Sequence, residues 1–191
     1  MNRRKKAFYV GFACIAVIGM LYYFIFSSNA ILKNVSHYRG YTVEVSQEVV
    51  PIEMFIEPQM YNIKEGTEKT VNQVVHRQNN TSIILESVIF REDYLFFNFT
   101  TDYALPFVEG EFLYNGIFHS NGSFTTTGGG WDEYEAKTLR NEQLEIGQTG
   151  SGPNSDFGFS LYKPQLELLN EGFTIRYNGM YLYNYKINLD I

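Results

Sequence analysis

The chain has 191 residues, enough for one ordinary domain and short for two, and its 45% hydrophobic content excludes wholesale disorder. With 19% charged residues and a net charge of −6, it reads as neither a coiled coil nor a nucleic-acid binder. Fifteen Tyr and sixteen Phe favour β-structure, while a single Cys rules out an internal disulfide and a cysteine-based metal cluster.

The first informative stretch is Arg3-Arg4-Lys5-Lys6, followed by residues 7–26 without a charge. Twenty apolar residues at about 1.5 Å each span roughly 30 Å, the thickness of a bilayer core. Tyr22 and Tyr23 sit near the far end, where aromatic rings favour the interface. The expectation is a single-pass signal-anchor helix over 7–26, with a cytoplasmic tail of residues 1–6 and everything after about Ser27 extracytoplasmic. A cleaved signal peptide is the rival, with small residues at Ser28-Asn29-Ala30, but the apolar run exceeds the 7–15 residues of a signal core. Cys14 reads as a small apolar residue of the helix, because Gly11-Phe12-Ala13 does not suit a lipoprotein site.

With the four N-terminal cations set aside, eleven Lys and Arg face 21 Asp and Glu, a net of −10 for the exterior part. Such a charge keeps a domain soluble, and it suits basic partners better than anionic lipid or wall polymer. An exterior without cysteine points to a bacterial envelope protein.

Residues 27–40 are polar and mixed and read as a stalk, with the extracytoplasmic β-rich domain over 41–191. Tyr41, Val43 and Val45 alternate with polar residues, and Ile52, Met54 and Ile56 repeat the pattern, with Pro51 and Pro58 marking an edge. Residues 67–78 fit a short helix or a strand, since Val71, Val74 and Val75 have helical spacing but β-branched side chains. Strands are then predicted over 83–90 and 94–101 around the Arg91-Glu92-Asp93 turn, with Leu95, Phe97 and Phe99 on one face. Further strands are predicted over 111–119, interrupted at Asn115-Gly116, and over 131–138, 144–147, 157–161, 166–169, 173–177 and 181–189. The longest loops are expected at 125–130 and 147–156. For the last pair, a loop of Tyr177-Asn178-Gly179 would put Ile175 opposite Tyr181 and Phe173 opposite Tyr183, so that both apolar sets face one side. Short strands between turn signals imply an all-β antiparallel sandwich or barrel.

The stretch from Thr81 to Thr100, with Ser87-Val88-Ile89 before the acidic turn and Tyr94-Leu95-Phe96-Phe97-Asn98-Phe99 after it, resembles the opening hairpin of immunoglobulin-like ectodomains in Gram-positive single-pass membrane proteins, as in some anti-sigma factors. Lys186-Ile187-Asn188-Leu189-Asp190-Ile191 is similar to the closing strand of such modules. The resemblance covers 81–191 and implies an immunoglobulin-like β-sandwich on an N-terminal transmembrane helix. It carries no signalling role across, because six residues before the membrane cannot form the cytoplasmic domain that holds a sigma factor.

Chemistry leaves few marks. His37, His76 and His119 are scattered and show no HExxH, so no metal and no cofactor is expected. Gly128-Gly129-Gly130 is followed by Asp132, Glu133 and Glu135, which would repel phosphate. The region before Asp156 lacks the acids of a calcium loop. Glu109 with Glu111, and Glu133 with Glu135, lie two apart, as same-face carboxylates of a strand would. Such pairs serve glycosidases, and also ordinary solvated strands. If there is a ligand site, the 125–131 loop carries it, with Trp131, Asp132 and Tyr134 as contributors. The competing role for Trp131, the one tryptophan, is a core plug. The expected function is a non-catalytic membrane-anchored domain that binds or supports another envelope component, a protein or a carbohydrate. An envelope hydrolase using paired carboxylates and an accessory subunit of a secretion machine are the alternatives.

Overall fold

The computed structural model describes residues 15–19, 22, 26–126, 130–152 and 154–189. Much of the expected membrane segment 7–26, with the tail 1–6, lies outside the described residues, and among those described no helix is long and apolar enough to cross a membrane.

Two five-stranded antiparallel sheets face each other across an aromatic core. The first contains β1 (Tyr41–Ile56), β12 (Phe173–Ile187), β8 (Tyr134–Thr138) and β9 (Gln143–Leu144), with β5 (Glu109–Tyr114) beside the second half of β12. The second runs β10 (Ile146–Ser151), β11 (Phe157–Tyr162), β4 (Tyr94–Tyr103), β3 (Thr81–Phe90), β2 (Glu68–Gln78). Each inner face follows period-two alternation: Leu95, Phe97 and Phe99 on β4 are all buried, as the sequence predicts. Phe97 stacks on Phe159 at 5.1 Å within its sheet and meets Phe173 of the opposite sheet edge-on at 5.4 Å. The fold is an all-β sandwich.

Several expectations are corrected by partners that lie far away in sequence. The runs at 41–46 and 52–56 are one strand, β1, at the edge of its sheet. The ambiguous stretch 67–78 is strand β2, and a bulge with Asn72 at φ 51° disturbs its alternation. The predicted strand 166–169 is a 3₁₀ helix, Lys163–Leu169, which carries Pro164 in its first turn and buries Leu169. The first half of the 147–156 loop is strand β10, and a one-turn helix, Pro58–Tyr61, follows β1.

The final hairpin does not form. Residues 173–187 are one strand, and Asn178 and Gly179 lie in it without positive φ. The register with β1 steps there from Val50↔Met180 to Ile52↔Tyr177, so Asn178 and Gly179 bulge opposite Pro51 alone. Pro51 has no N–H to give to the ladder, and a bulge absorbs that gap.

The bulge also shifts the side-chain phase. Phe173, Ile175, Tyr177 and Met180 belong to the main core, whereas Tyr183 and Tyr185 point to the other face of the sheet. They enter a second core with Tyr41, Phe112 and Tyr114, half-covered by the small hairpin β6 (Gly116–Phe118) and β7 (Phe124–Thr126). The 27–40 segment closes that core. It holds helix α1 (Ser28–Ser36), N-capped by Ser27 and burying Ile31 and Val35, so it packs on the body and is not an extended stalk.

Candidate functional site

Of the residues singled out from the sequence, Asp132 and Tyr134 are drawn apart. The Glu133 N–H donates to the Gly130 carbonyl at 3.2 Å, which closes the 3₁₀ turn Trp131–Glu133 ahead of β8. Asp132 is exposed on that turn. Tyr134 is buried in the main core, its ring stacked on Tyr177 at 4.7 Å and near Phe159 at 5.6 Å. Burial pushes the Tyr134 hydroxyl far above its usual pKa, and Tyr177 and Glu133 add to the effect. Tyr134 therefore holds the sandwich together and does not reach a ligand beside Asp132. Residues 127–129 of the loop and the Trp131 side chain lie outside the described residues.

The Glu133–Glu135 pair parts in the same way. Glu133 is buried in the turn, while Glu135 lies on the outer face of β8 and pairs with Lys137 at 2.5 Å. That contact, first as a hydrogen bond and then as charge, lowers the Glu135 pKa. The two carboxylates do not share a face, so they cannot flank one glycosidic bond. The histidines are spread over the molecule. His37 Nδ1 is 2.8 Å from the Lys33 carbonyl, His76 Nδ1 is 2.9 Å from the Glu53 carbonyl, and His119 Nε2 is 2.8 Å from Thr125 Oγ1. Among the described residues no group of three or more His, Cys, Asp or Glu is placed to hold a metal ion.

What the fold does assemble is a polar platform. Beyond Leu182, the even-numbered residues of β12 continue the inner face of the first sheet, but they are polar and exposed. Cross-strand register then lays out two rows. Glu44, Asn184 and Glu111 form one, and Thr42, Lys186 and Glu109 form the other. Asn188 and Leu189 extend the surface, and the whole lines an open groove of about 730 Å³. Lys186 bridges to Glu109 at 3.1 Å, which leaves Glu44 and Glu111 as the groove's remaining acids. Thr42 Oγ1 donates to Asn188 Oδ1 at 2.6 Å. Tyr185 is the one aromatic residue lining the groove, and it is buried towards the second core. The platform thus offers hydrogen bonds and negative charge with little aromatic surface for stacking.

Sequence reasoning found the Glu109–Glu111 pair and missed the rest, because the other members come from strands more than sixty residues away on either side. The only signal was polar alternation at 42, 44, 184, 186 and 188, which any solvated strand shows. The chain matches no protein-family model, no curated protein and no solved structure.

Proposed function

We propose that the chain is a non-catalytic, membrane-anchored protein whose β-sandwich stands on the outer side of the membrane and binds or supports another cell-envelope component. The observation that carries this reading is the apolar N-terminal stretch. Its described residues Ile15, Val17, Ile18 and Tyr22 are each more than half exposed, and Phe26 of the same stretch packs on Phe107 of the body at 4.4 Å. Apolar surface left in water costs about 25 cal/mol per Å², and a lipid environment removes that cost. Arg3-Arg4-Lys5-Lys6 before the apolar run orient the N-terminus to the cytoplasm. A face-to-face pair of antiparallel sheets supports the immunoglobulin-like kinship of the domain.

The groove over Glu44, Asn184 and Glu111 is the surface best suited to a partner. Its acids and amides, with no exposed aromatic ring, favour a protein carrying basic residues over a sugar. The test has two arms. In intact cells, external protease should remove the domain while an N-terminal tag stays protected. A soluble mature fragment beginning at Ile31 in the medium overturns the anchor. A photo-crosslinker at Asn184 should give an adduct with an envelope protein in cells, lost on Glu44→Lys with Glu111→Lys. Absence of any adduct overturns the binding role.

A further inference from the structure

The sequence Ala104-Leu105-Pro106-Phe107-Val108 is a surface loop made wholly of apolar residues. Connecting loops are ordinarily polar, and a run of this length exposed to water is a liability unless it serves a purpose. Leu105 is buried in the second core and Phe107 is half-buried against Phe26, but Ala104, Pro106 and Val108 point outward, Val108 at 51% exposure.

The loop is also held firmly. The Ala104 N–H donates to the Asn80 carbonyl at 2.9 Å, and the Leu105 N–H donates to Ser28 Oγ at 3.0 Å. The Tyr185 hydroxyl donates to the Pro106 carbonyl at 2.5 Å, and the Tyr41 hydroxyl donates to the Phe107 carbonyl at 2.9 Å. The Ile187 N–H donates to the Val108 carbonyl at 2.8 Å. Each of the five residues has a backbone group tied down, so the apolar side chains are presented by a rigid frame. Two residues beyond Ile187, Leu189 is 73% exposed.

This surface adjoins Phe26, at the end of the apolar N-terminal run. Tyr22 stacks on Phe26 at 4.5 Å, and Phe26 lies on Phe107. Ser27 then caps α1 with no intervening linker. An apolar run that enters a rigid body at Phe26 leaves the neighbouring surface no room to stand away from whatever surrounds that run.

We infer that the 104–108 loop, with Leu189, is the face the domain sets against the outer leaflet of the membrane that holds its own N-terminal helix. This rests on the anchored reading above and adds an orientation to it. Pro106 and Val108 dip into the boundary between headgroups and acyl chains, while Tyr22 and Phe26 occupy the aromatic belt. Glu109, the acid that follows Val108, is already paired with Lys186, which lowers the cost of holding it there. The strands then rise from the bilayer, and the turn after β8 stands roughly 45 Å away along β12, at about 3.3 Å per residue.

The experiment uses the full chain in phosphatidylcholine vesicles, with Cys14→Ser and one fluorophore-bearing cysteine at a time: Tyr22→Cys, Val108→Cys, Ala104→Cys or Leu139→Cys. Lipids carrying a nitroxide near the headgroup act as the quencher. Emission from Tyr22→Cys, Val108→Cys and Ala104→Cys should fall together, and emission from Leu139→Cys at the far end should not. If the Tyr22 site is quenched while the two loop sites behave like Leu139→Cys, the docking face is overturned and the anchor stands. Equal quenching of loop and far-end sites also overturns the orientation. No quenching at the Tyr22 site removes the anchor and this inference with it.

Discussion

Tyrosine hydroxyls tie the two layers of aromatic packing to the backbone. Tyr183 is fully buried, stacks on Phe112 at 4.8 Å, donates to the Gly116 carbonyl at 2.8 Å and accepts from the Phe118 N–H at 2.9 Å. Tyr185 and Tyr41 do the same for the 104–108 loop. Such groups are costly to ionise where they sit. Burial raises Tyr61 and Tyr114 from 10.0 to about 12, and pushes Tyr103, Tyr134, Tyr177, Tyr183 and Tyr185 higher still. Each folded-state pKa lies above its unfolded value, so the neutral ring favours the fold below pH 10 and that contribution is lost as pH rises past it. Stability should therefore be insensitive to tyrosine ionisation up to about pH 9 and fall steeply between about 10 and 12. Absorbance at the phenolate band should show exposed tyrosines titrating first and the buried set only with loss of structure. A smooth titration of every tyrosine near pH 10 in the folded protein would contradict these burials.

At the scale of elements, the bulge in β12 and the docking of α1 make separate claims. Gly179 is needed for space and not for its backbone angle: a Cβ there would run into the ring of Tyr177. That ring cannot yield, because Tyr134 stacks on it at 4.7 Å and Phe157 at 4.4 Å. Gly179→Ala should cost about 1–3 kcal/mol, the usual range for overpacking, in urea unfolding of the detergent-solubilised protein. Asn178→Ala, which loses the Arg176 Nε contact at 3.2 Å, should cost well under half as much. Equal costs would mean the pair forms a turn whose backbone demands both residues. For α1, Ile31→Ala removes a side chain 1% exposed in the second core and should destabilise by about 2–5 kcal/mol. Limited proteolysis should then cut within 27–40 before it cuts the sandwich. Unchanged protection of that segment would show that the helix does not depend on its buried face.

For the whole molecule, the two cores lie on opposite faces of a sheet that shares one strand, since β12 gives Phe173 and Ile175 to one and Tyr183 and Tyr185 to the other. Neither core can lose its packing without disturbing the strand that builds both, so the body should unfold as a single cooperative unit. Phe97→Ala in the main core and Phe112→Ala in the second should each lower stability by about 3–5 kcal/mol and shift one common transition. Two resolved transitions, with Phe112→Ala moving only one, would show that the second core is an independent appendage. The shared sheet also sets the polar platform next to the 104–108 loop, because both occupy the Ile187 end of β12.

The sequence by itself determined the class of fold and its most local elements. Leu95, Phe97 and Phe99 alternate on one strand, Arg91-Glu92-Asp93 turns the chain, and Asn115-Gly116 breaks the next strand where the structure breaks it. These signals act within a few residues, through backbone preference and side-chain alternation, so they are legible without knowing a partner. The tertiary structure alone decided what depends on partners. Asn178-Gly179 carries the signature of a turn, yet it bulges because the chain beyond it continues along β1 and faces Pro51. The assumption that both apolar sets of β12 must face one side failed because a second core, closed by Ile31 and Val35 from the supposed stalk, gives Tyr183 and Tyr185 a place on the other face. The platform exists only because register brings 44, 184 and 111 into one row. Alternation tells which residues share a face of a strand, but which face is buried, and beside what, is set by contacts between segments far apart in the chain.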